Sequence, residues 1–102
     1  MAGREEAAQL LGVAPEASES RVANSELLGL RHPRLGLRLP RWQFAEAIRM
    51  AIPRLFVGLG TTEPWVLLVW LETPLGALGG RTPRVAIEQG EVERAQVLAR
   101  GE

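Results

Sequence analysis

Apolar positions recur at helical spacing near both ends of the chain. Residues 4–11 form one such stripe, and Gly12 follows at the position where glycine often ends a helix. Pro15 favours the start of a second helix, and Asn24 is placed to stop it. Residues 91–100 combine an apolar stripe with a polar outer face, which predicts a last amphipathic helix.

The middle of the chain has a different pattern. Two short apolar runs, residues 27–31 and 37–39, flank a turn-forming segment that contains proline and glycine. This arrangement is typical of a β-hairpin. Pro40 ends the second run, and residues 41–44 are expected to be extended, with two aromatic side chains on one side.

Prolines divide the C-terminal half into predicted helices. Helix propensity is high over residues 45–50, but Pro53 is expected to end any helix there and to begin a short one. The segment Thr61-Thr62-Glu63-Pro64 predicts a helix start with a hydroxyl cap. The run over residues 65–71 is apolar on every side, which predicts the central buried helix. Both of its tryptophans are expected in the core, and the alternative for one of them is an interface anchor.

A glycine-rich loop and one further helix precede the last helix. Thr82-Pro83 predicts a capped helix that Gly90 ends. Together the patterns predict a mainly α fold with one small β-hairpin. We divide the chain into residues 1–44, a helix-turn-helix-like pair with a basic hairpin, and residues 45–102, a helical domain.

The composition excludes several kinds of catalytic site. The 102 residues contain no Cys, Lys, Asp or Tyr, and His32 is the one histidine. Thiolate sites, Schiff-base lysines, a Ser-His-Asp triad and a two-histidine metal site are therefore excluded within one chain. We expect a binding protein rather than an enzyme, with no cofactor and no metal.

No segment resembles a membrane span or a signal peptide. The most apolar run has seven residues, whereas a bilayer needs about 20. The acidic start lacks the apolar stretch of a secretory signal. We expect a cytoplasmic location and no membrane partner.

Charge is segregated along the chain, although twelve arginines balance twelve glutamates. Residues 31–54 carry six arginines against Glu46 alone, a net charge of +5. Such a segment beside a helical pair favours contact with DNA phosphates. The alternative is a solvated ribbon whose arginines pair with nearby glutamates or lie over Trp42. The candidate DNA contacts are Ser18, Arg21, Arg31, Arg34, Arg38 and Arg41.

A resemblance to a known family rests on the C-terminal half. Residues 65–74, the turn Leu78-Gly79-Gly80-Arg81-Thr82-Pro83 and then Gly90 resemble the toxin-binding domain of the Xre/MbcA/ParS antitoxins, over about residues 53–102. Shorter stretches near residues 6–13 and 40–44 are also similar to that family. Pro15-Glu16-Ala17-Ser18 and Ala45 depart from its pattern, so toxin binding is implied more strongly than DNA binding.

The resemblance implies the antitoxin of a type II toxin–antitoxin pair. Its partner would be a RES-domain toxin that degrades NAD, whose active-site entrance the antitoxin's C-terminal region covers. The N-terminal part of such antitoxins can bind operator DNA and repress the operon. The alternative is a free-standing helix-turn-helix-like transcription regulator without a toxin partner. We expect a homodimer or, for the antitoxin, a hetero-oligomer with the toxin.

The candidate toxin contacts lie in the turn and off the apolar stripe of the last helix. They are Arg81, Glu91, Glu93, Arg94, Arg100 and Glu102. Arg81 is expected to hold a backbone carbonyl or a glutamate across the turn, whereas the others are expected to be free for a partner. Deleting residues 91–102 is expected to abolish neutralisation while the N-terminal half stays folded.

Overall fold

The computed structural model describes residues 1–101, which form six α-helices, a two-stranded hairpin and two short 3-10 helices. The α-helices are α1 (Arg4–Leu11), α2 (Pro15–Ala23), α3 (Glu46–Leu59), α4 (Pro64–Leu71), α5 (Pro83–Glu88) and α6 (Val92–Ala99). Strands β1 (Leu30–His32) and β2 (Gly36–Arg38) are antiparallel, and the 3-10 helices are Arg41–Phe44 and Gly76–Leu78. The prediction of a mainly helical chain with one small hairpin is confirmed.

Local signals place most element boundaries. Gly12 ends α1 with a left-handed backbone at φ 70°, a conformation that costs glycine little. Pro15 is the first residue of α2, and Asn24 follows its last turn. In the hairpin, Leu30 pairs with Arg38 and His32 pairs with Gly36.

The prediction that Pro53 ends a helix is wrong, because α3 continues through it to Leu59. A proline within a helix lacks one N–H donor and costs about 3 kcal/mol. The Pro53 ring lies on the exposed side of α3. The opposite side is fully buried at Ile48, Ile52 and Leu55, and this burial outweighs the cost of the proline.

The central buried helix is α3, and the prediction that α4 occupies this position is wrong. Only Leu67 and Leu71 of α4 are fully buried, whereas Trp65 is 63% exposed. A helix that is apolar on every side carries no signal for which face packs inward. The hydroxyl cap predicted for α4 is also absent: Glu63 holds the cap position, and the Thr61 hydroxyl accepts a bond from the Glu63 N–H at 3.0 Å.

Residues 41–44 form a 3-10 helix rather than the extended segment predicted. The turn buries the Gln43 side chain completely and directs its amide at the backbone of Leu28. Gln43 Oε1 accepts from the Leu28 N–H at 2.7 Å, and Gln43 Nε2 donates to the Leu28 carbonyl at 2.7 Å and to the Pro40 carbonyl at 3.2 Å. The Gln43 side chain thus forms hydrogen bonds with both the N–H and the carbonyl of Leu28.

The described residues contain two hydrophobic clusters. The first cluster is centred on α3 and includes Leu28 and residues of α4, α5 and α6. The second lies between α1 and the hairpin and contains Ala7, Leu27, Leu37 and Leu39. Leu27 and Leu28 are consecutive, so the chain passes directly from one cluster to the other. None of the described helices is long and apolar enough to cross a bilayer.

Candidate functional site

The turn that precedes α5 is built on two left-handed glycines. Gly79 and Gly80 have φ values of 67° and 86°, which side-chain-bearing residues rarely adopt. The Leu75 carbonyl accepts from the Gly80 N–H at 3.0 Å, and the Leu75 N–H donates to the Arg81 carbonyl at 3.1 Å. These bonds close the turn and orient the Arg81 side chain toward the start of α6.

Arg81 clamps this turn to the loop between α5 and α6. Its Nε donates to the Leu78 carbonyl at 2.8 Å and its Nη1 to Gln89 Oε1 at 2.7 Å. Its guanidinium also forms a two-point ion pair with the Glu91 carboxylate. Arg81 was expected to hold a carbonyl or a glutamate across the turn, and it holds both. Its hydrogen bonds to Glu91 lower the pKa of that carboxyl.

Thr82 caps α5 as its sequence position predicts. The Thr82 hydroxyl accepts from the Val85 N–H at 3.2 Å, and Pro83 occupies the first helical position, fully buried. The cap and the clamp fix the direction of α5 and the start of α6. These two features therefore position the surface that α6 presents.

The predicted toxin contacts fall into two groups. Arg81, Glu91 and Arg94 already have partners, since Arg94 donates to the Ala77 carbonyl and lies 3.6 Å from Glu91. The expectation that Glu91 and Arg94 are free is therefore wrong. Glu93 is exposed and has no ion pair within residues 1–101. Arg100 is exposed at the end of α6, and Glu102 lies outside the described residues.

An apolar surface on α3 and α6 was not predicted from the sequence. Met50 and Val57 on α3 are 66% and 81% exposed, and Val97 on α6 is 36% exposed. Between the two helices lies a cleft of about 180 Å³ whose lining includes Met50, Arg54 and Gln96. Met50 and Val57 are seven residues apart and so lie on the same side of α3. Val97 lies on α6, which packs beside α3. Exposed apolar side chains that lie together are typical of partner-binding surfaces. We call Met50, Val57 and Val97 the α3–α6 patch.

Two arginines of the basic segment are held by glutamates. Arg31 lies 3.2 Å from Glu19, and Arg41 makes a two-point pair with Glu6 at 2.7 and 2.9 Å. The hydrogen bonds from Arg41 lower the pKa of Glu6. For these two side chains, the structure agrees with a solvated ribbon whose arginines pair with nearby glutamates.

The remaining candidate DNA contacts differ in accessibility. Arg34 at the hairpin turn is exposed, and Arg21 is half-buried; neither guanidinium has a hydrogen-bond partner in the described part of the chain. Arg38 donates to the Leu35 carbonyl at 3.1 Å, while its buried Nε has no partner there. Ser18 is fully buried, so the prediction that its hydroxyl contacts DNA is wrong.

His32 has a structural role in the hairpin turn. Its Nδ1 accepts from the backbone N–H groups of Arg34 and Leu35, each at 3.1 Å. These bonds cap the hairpin turn and assign the ring hydrogen of the neutral form to Nε2. The signal was a histidine directly before Pro33 in a tight turn.

The arginine over Trp42 comes from α5 and not from the hairpin. The Arg84 guanidinium lies 5.3 Å from the centre of the Trp42 ring. Arg84 also bonds to Glu72 at 2.6 Å and to Glu88 at 3.1 Å, and the Glu72 bond is the main reason for its raised pKa. The spacing of these residues along the sequence gives no signal for this contact.

Residues 1–101 contain no cluster of three or more His, Cys, Asp or Glu side chains suited to a metal ion. Comparison with known proteins gives no match: no family model, no curated protein and no solved structure is similar to this chain.

Proposed function

We propose that this chain is the antitoxin of a type II toxin–antitoxin pair and blocks the active site of a RES-domain toxin that degrades NAD. The partner class comes from the sequence resemblance over residues 53–102. The structural observation that carries the proposal is the α3–α6 patch, where Met50 and Val57 are 66% and 81% exposed. In a small domain, such side chains are stabilised when a partner covers them.

Different residues have different roles in this proposal. The Arg81–Glu91 pair positions α6, so these two residues act through the fold rather than by touching the toxin. The α3–α6 patch supplies apolar contact area. Glu93 supplies an exposed negative charge beside it, which complements the cationic pocket expected of an enzyme that binds the anionic dinucleotide NAD.

Point substitutions in the patch test this role more sharply than a deletion does. Removing residues 91–102 would also remove Ala95 and Ala99 of α6, which are buried in the first cluster against α3. Loss of neutralisation by that deletion would then follow from unfolding alone. Met50→Glu and Val97→Glu instead alter exposed positions.

The assay is the cellular NAD level during co-expression with a RES-domain toxin, whose gene the proposal expects beside the gene of this chain. Wild type and the control Leu10→Glu, which alters an exposed leucine on α1 outside residues 53–102, are expected to protect the NAD pool. Met50→Glu and Val97→Glu are expected to lose protection at equal expression, because each places a charge in an apolar contact. Full protection by both patch variants would contradict the proposal, as would the absence of any effect of the wild-type chain.

The exposed hairpin turn supports operator binding as a second candidate function. Arg34 is the best-placed phosphate contact, because it is exposed and unpaired in the described residues, whereas Arg31 and Arg41 are held by glutamates. In a salt titration of operator binding, Arg34→Ala should weaken all DNA sequences alike and lower the salt slope by about one. Tight operator binding by a chain that affects no toxin would favour a free-standing regulator.

A further inference from the structure

A separate pocket lies between the hairpin and the start of α4. Its volume is about 310 Å³, and it is lined by Met1, Leu30, Arg31, His32, Arg38 and Trp65. Trp65 presents an indole that is 63% exposed. The pocket shares no residue with the α3–α6 patch.

The lining of this pocket is cationic and aromatic, and it contains no carboxylate. Glu5 and Glu19 line a second cleft, which shares Arg31 and Arg38 with this pocket. Glu19 pairs with Arg31 at 3.2 Å and so partly neutralises it. Arg38 makes no ion pair in the described chain, and its buried Nε has no hydrogen-bond partner there.

We propose that this pocket binds one nucleotide of a single-stranded nucleic acid. The base would stack on Trp65, and Arg38 would hold the adjoining phosphate. A flat aromatic group beside a guanidinium group is the combination that recognises a base and its phosphate. The volume of about 310 Å³ is at the small end of the range for ligand pockets, which suits a single nucleotide.

Two observations favour a single strand over the other sources of a nucleotide. A base within a duplex is already stacked on both faces, so only an unpaired base can offer a face to Trp65. Arg34 lies outside this pocket, at the exposed turn of the same hairpin, and extends the cationic surface toward a second phosphate. A free mononucleotide has no neighbouring nucleotide whose phosphate could reach Arg34. The inference does not depend on a toxin partner.

The test uses the full chain and a fluorescein-labelled ten-nucleotide deoxyadenylate strand, with binding measured by anisotropy. Trp65→Ala is expected to weaken binding by about 5- to 150-fold, the range for loss of one base–aromatic stack. Trp65→Phe keeps an aromatic ring and should restore most of the affinity. Val69→Ala, on the exposed side of the same helix, and Arg54→Ala, an exposed arginine outside the pocket, are matched controls and should bind as wild type does.

Intrinsic fluorescence gives a readout that a structural role would not change. The chain has three tryptophans, and Trp65 is the most exposed of them. Stacking of an adenine on Trp65 should quench its emission, and Trp65→Phe should bind the strand without this quenching. Because this variant keeps a ring at an exposed position, the test remains valid even if Trp65→Ala fails to fold.

Three results would overturn the proposal. The first is unchanged affinity in Trp65→Ala with its fold retained, or the same quenching in Trp65→Phe. The second is AMP binding as tightly as the strand, which would assign the pocket to a free nucleotide. The third is a duplex of the same length binding more tightly than the single strand. Loss of affinity in Arg38→Ala but not in Arg54→Ala would support the phosphate contact.

Discussion

Replacement of Gln43 by leucine should strongly destabilise the protein. The Gln43 amide is fully buried and accepts and donates at 2.7 Å to the N–H and carbonyl of Leu28. Leucine has a similar size but no polar atom, so it would leave both backbone groups of Leu28 without these partners inside the protein. No neighbouring strand supplies a replacement, because β1 begins at Leu30.

The size of this destabilisation follows from the N–H and the carbonyl of Leu28, which would both lose their hydrogen-bond partner. Each buried group left without a partner costs about 1–3 kcal/mol. Burying the more apolar leucine side chain returns about 1–2 kcal/mol. At the middle of these two ranges, we expect the free energy of unfolding to fall by about 2–3 kcal/mol, a large part of the roughly 5–15 kcal/mol typical of a domain.

Urea denaturation at neutral pH measures this change, with Gln9→Leu on the exposed side of α1 as the control. The control should change the free energy of unfolding by no more than about 0.5 kcal/mol, as surface substitutions do. Amide hydrogen exchange gives a local readout, since the Leu28 N–H should lose protection in Gln43→Leu. A loss below about 0.5 kcal/mol with Leu28 still protected would refute the reasoning.

Three further changes test other contacts. Gly29→Ala should destabilise by about 1–3 kcal/mol, since the new methyl group would lie 2.9 Å from the side chains of Val22 and Leu37; a thermal melt that matches wild type would contradict this. Arg84→Ala should destabilise by about 1–2 kcal/mol, more than Arg54→Ala does, because it removes the contact with Trp42 at 5.3 Å. Because the pKa of Glu91 is lowered in the folded protein, the unfolded chain protonates this carboxyl at a higher pH than the folded protein does. The stability from the pair with Arg81 is therefore present at neutral pH and is lost as the pH falls below the ordinary value of 4.5 and through the lower folded value. Glu91→Gln should therefore lose less stability than wild type between pH 7 and pH 3 in urea titrations, and equal losses would argue against the pair.

Elements with local signals are predictable from the sequence. A cap, a proline at the first position or a glycine after the last turn defines α1, α2 and α5. The position of α4 in the fold has no such signal, because its apolar residues surround the helix. The prediction that Pro53 ends a helix was wrong for a related reason. The cost of a proline within a helix is local, whereas the burial that outweighs it comes from residues distant in sequence.

The candidate sites were predictable to a smaller extent. The role of Arg81 followed from its place in a glycine turn, and the structure provides the expected carbonyl and glutamate. The α3–α6 patch was missed because exposure of Met50 and Val57 depends on which side of α3 packs inward. The pocket at Trp65 was missed because the hairpin and α4 are separated along the chain and meet only in three dimensions.

The adjacency of Leu27 and Leu28 has a consequence for how the sequence can change. Leu27 belongs to the second cluster and Leu28 to the first, and Gly29 follows in a space too small for a methyl group. Inserting one residue before Leu27 would move Leu27 into the position of Leu28, and Leu28 into that of Gly29, where an added Cβ lies 2.9 Å from Val22 and Leu37. The exposed hairpin turn at residues 33–35 carries no buried side chain. Changes in chain length should therefore be tolerated at the tip of the hairpin and rejected at its base.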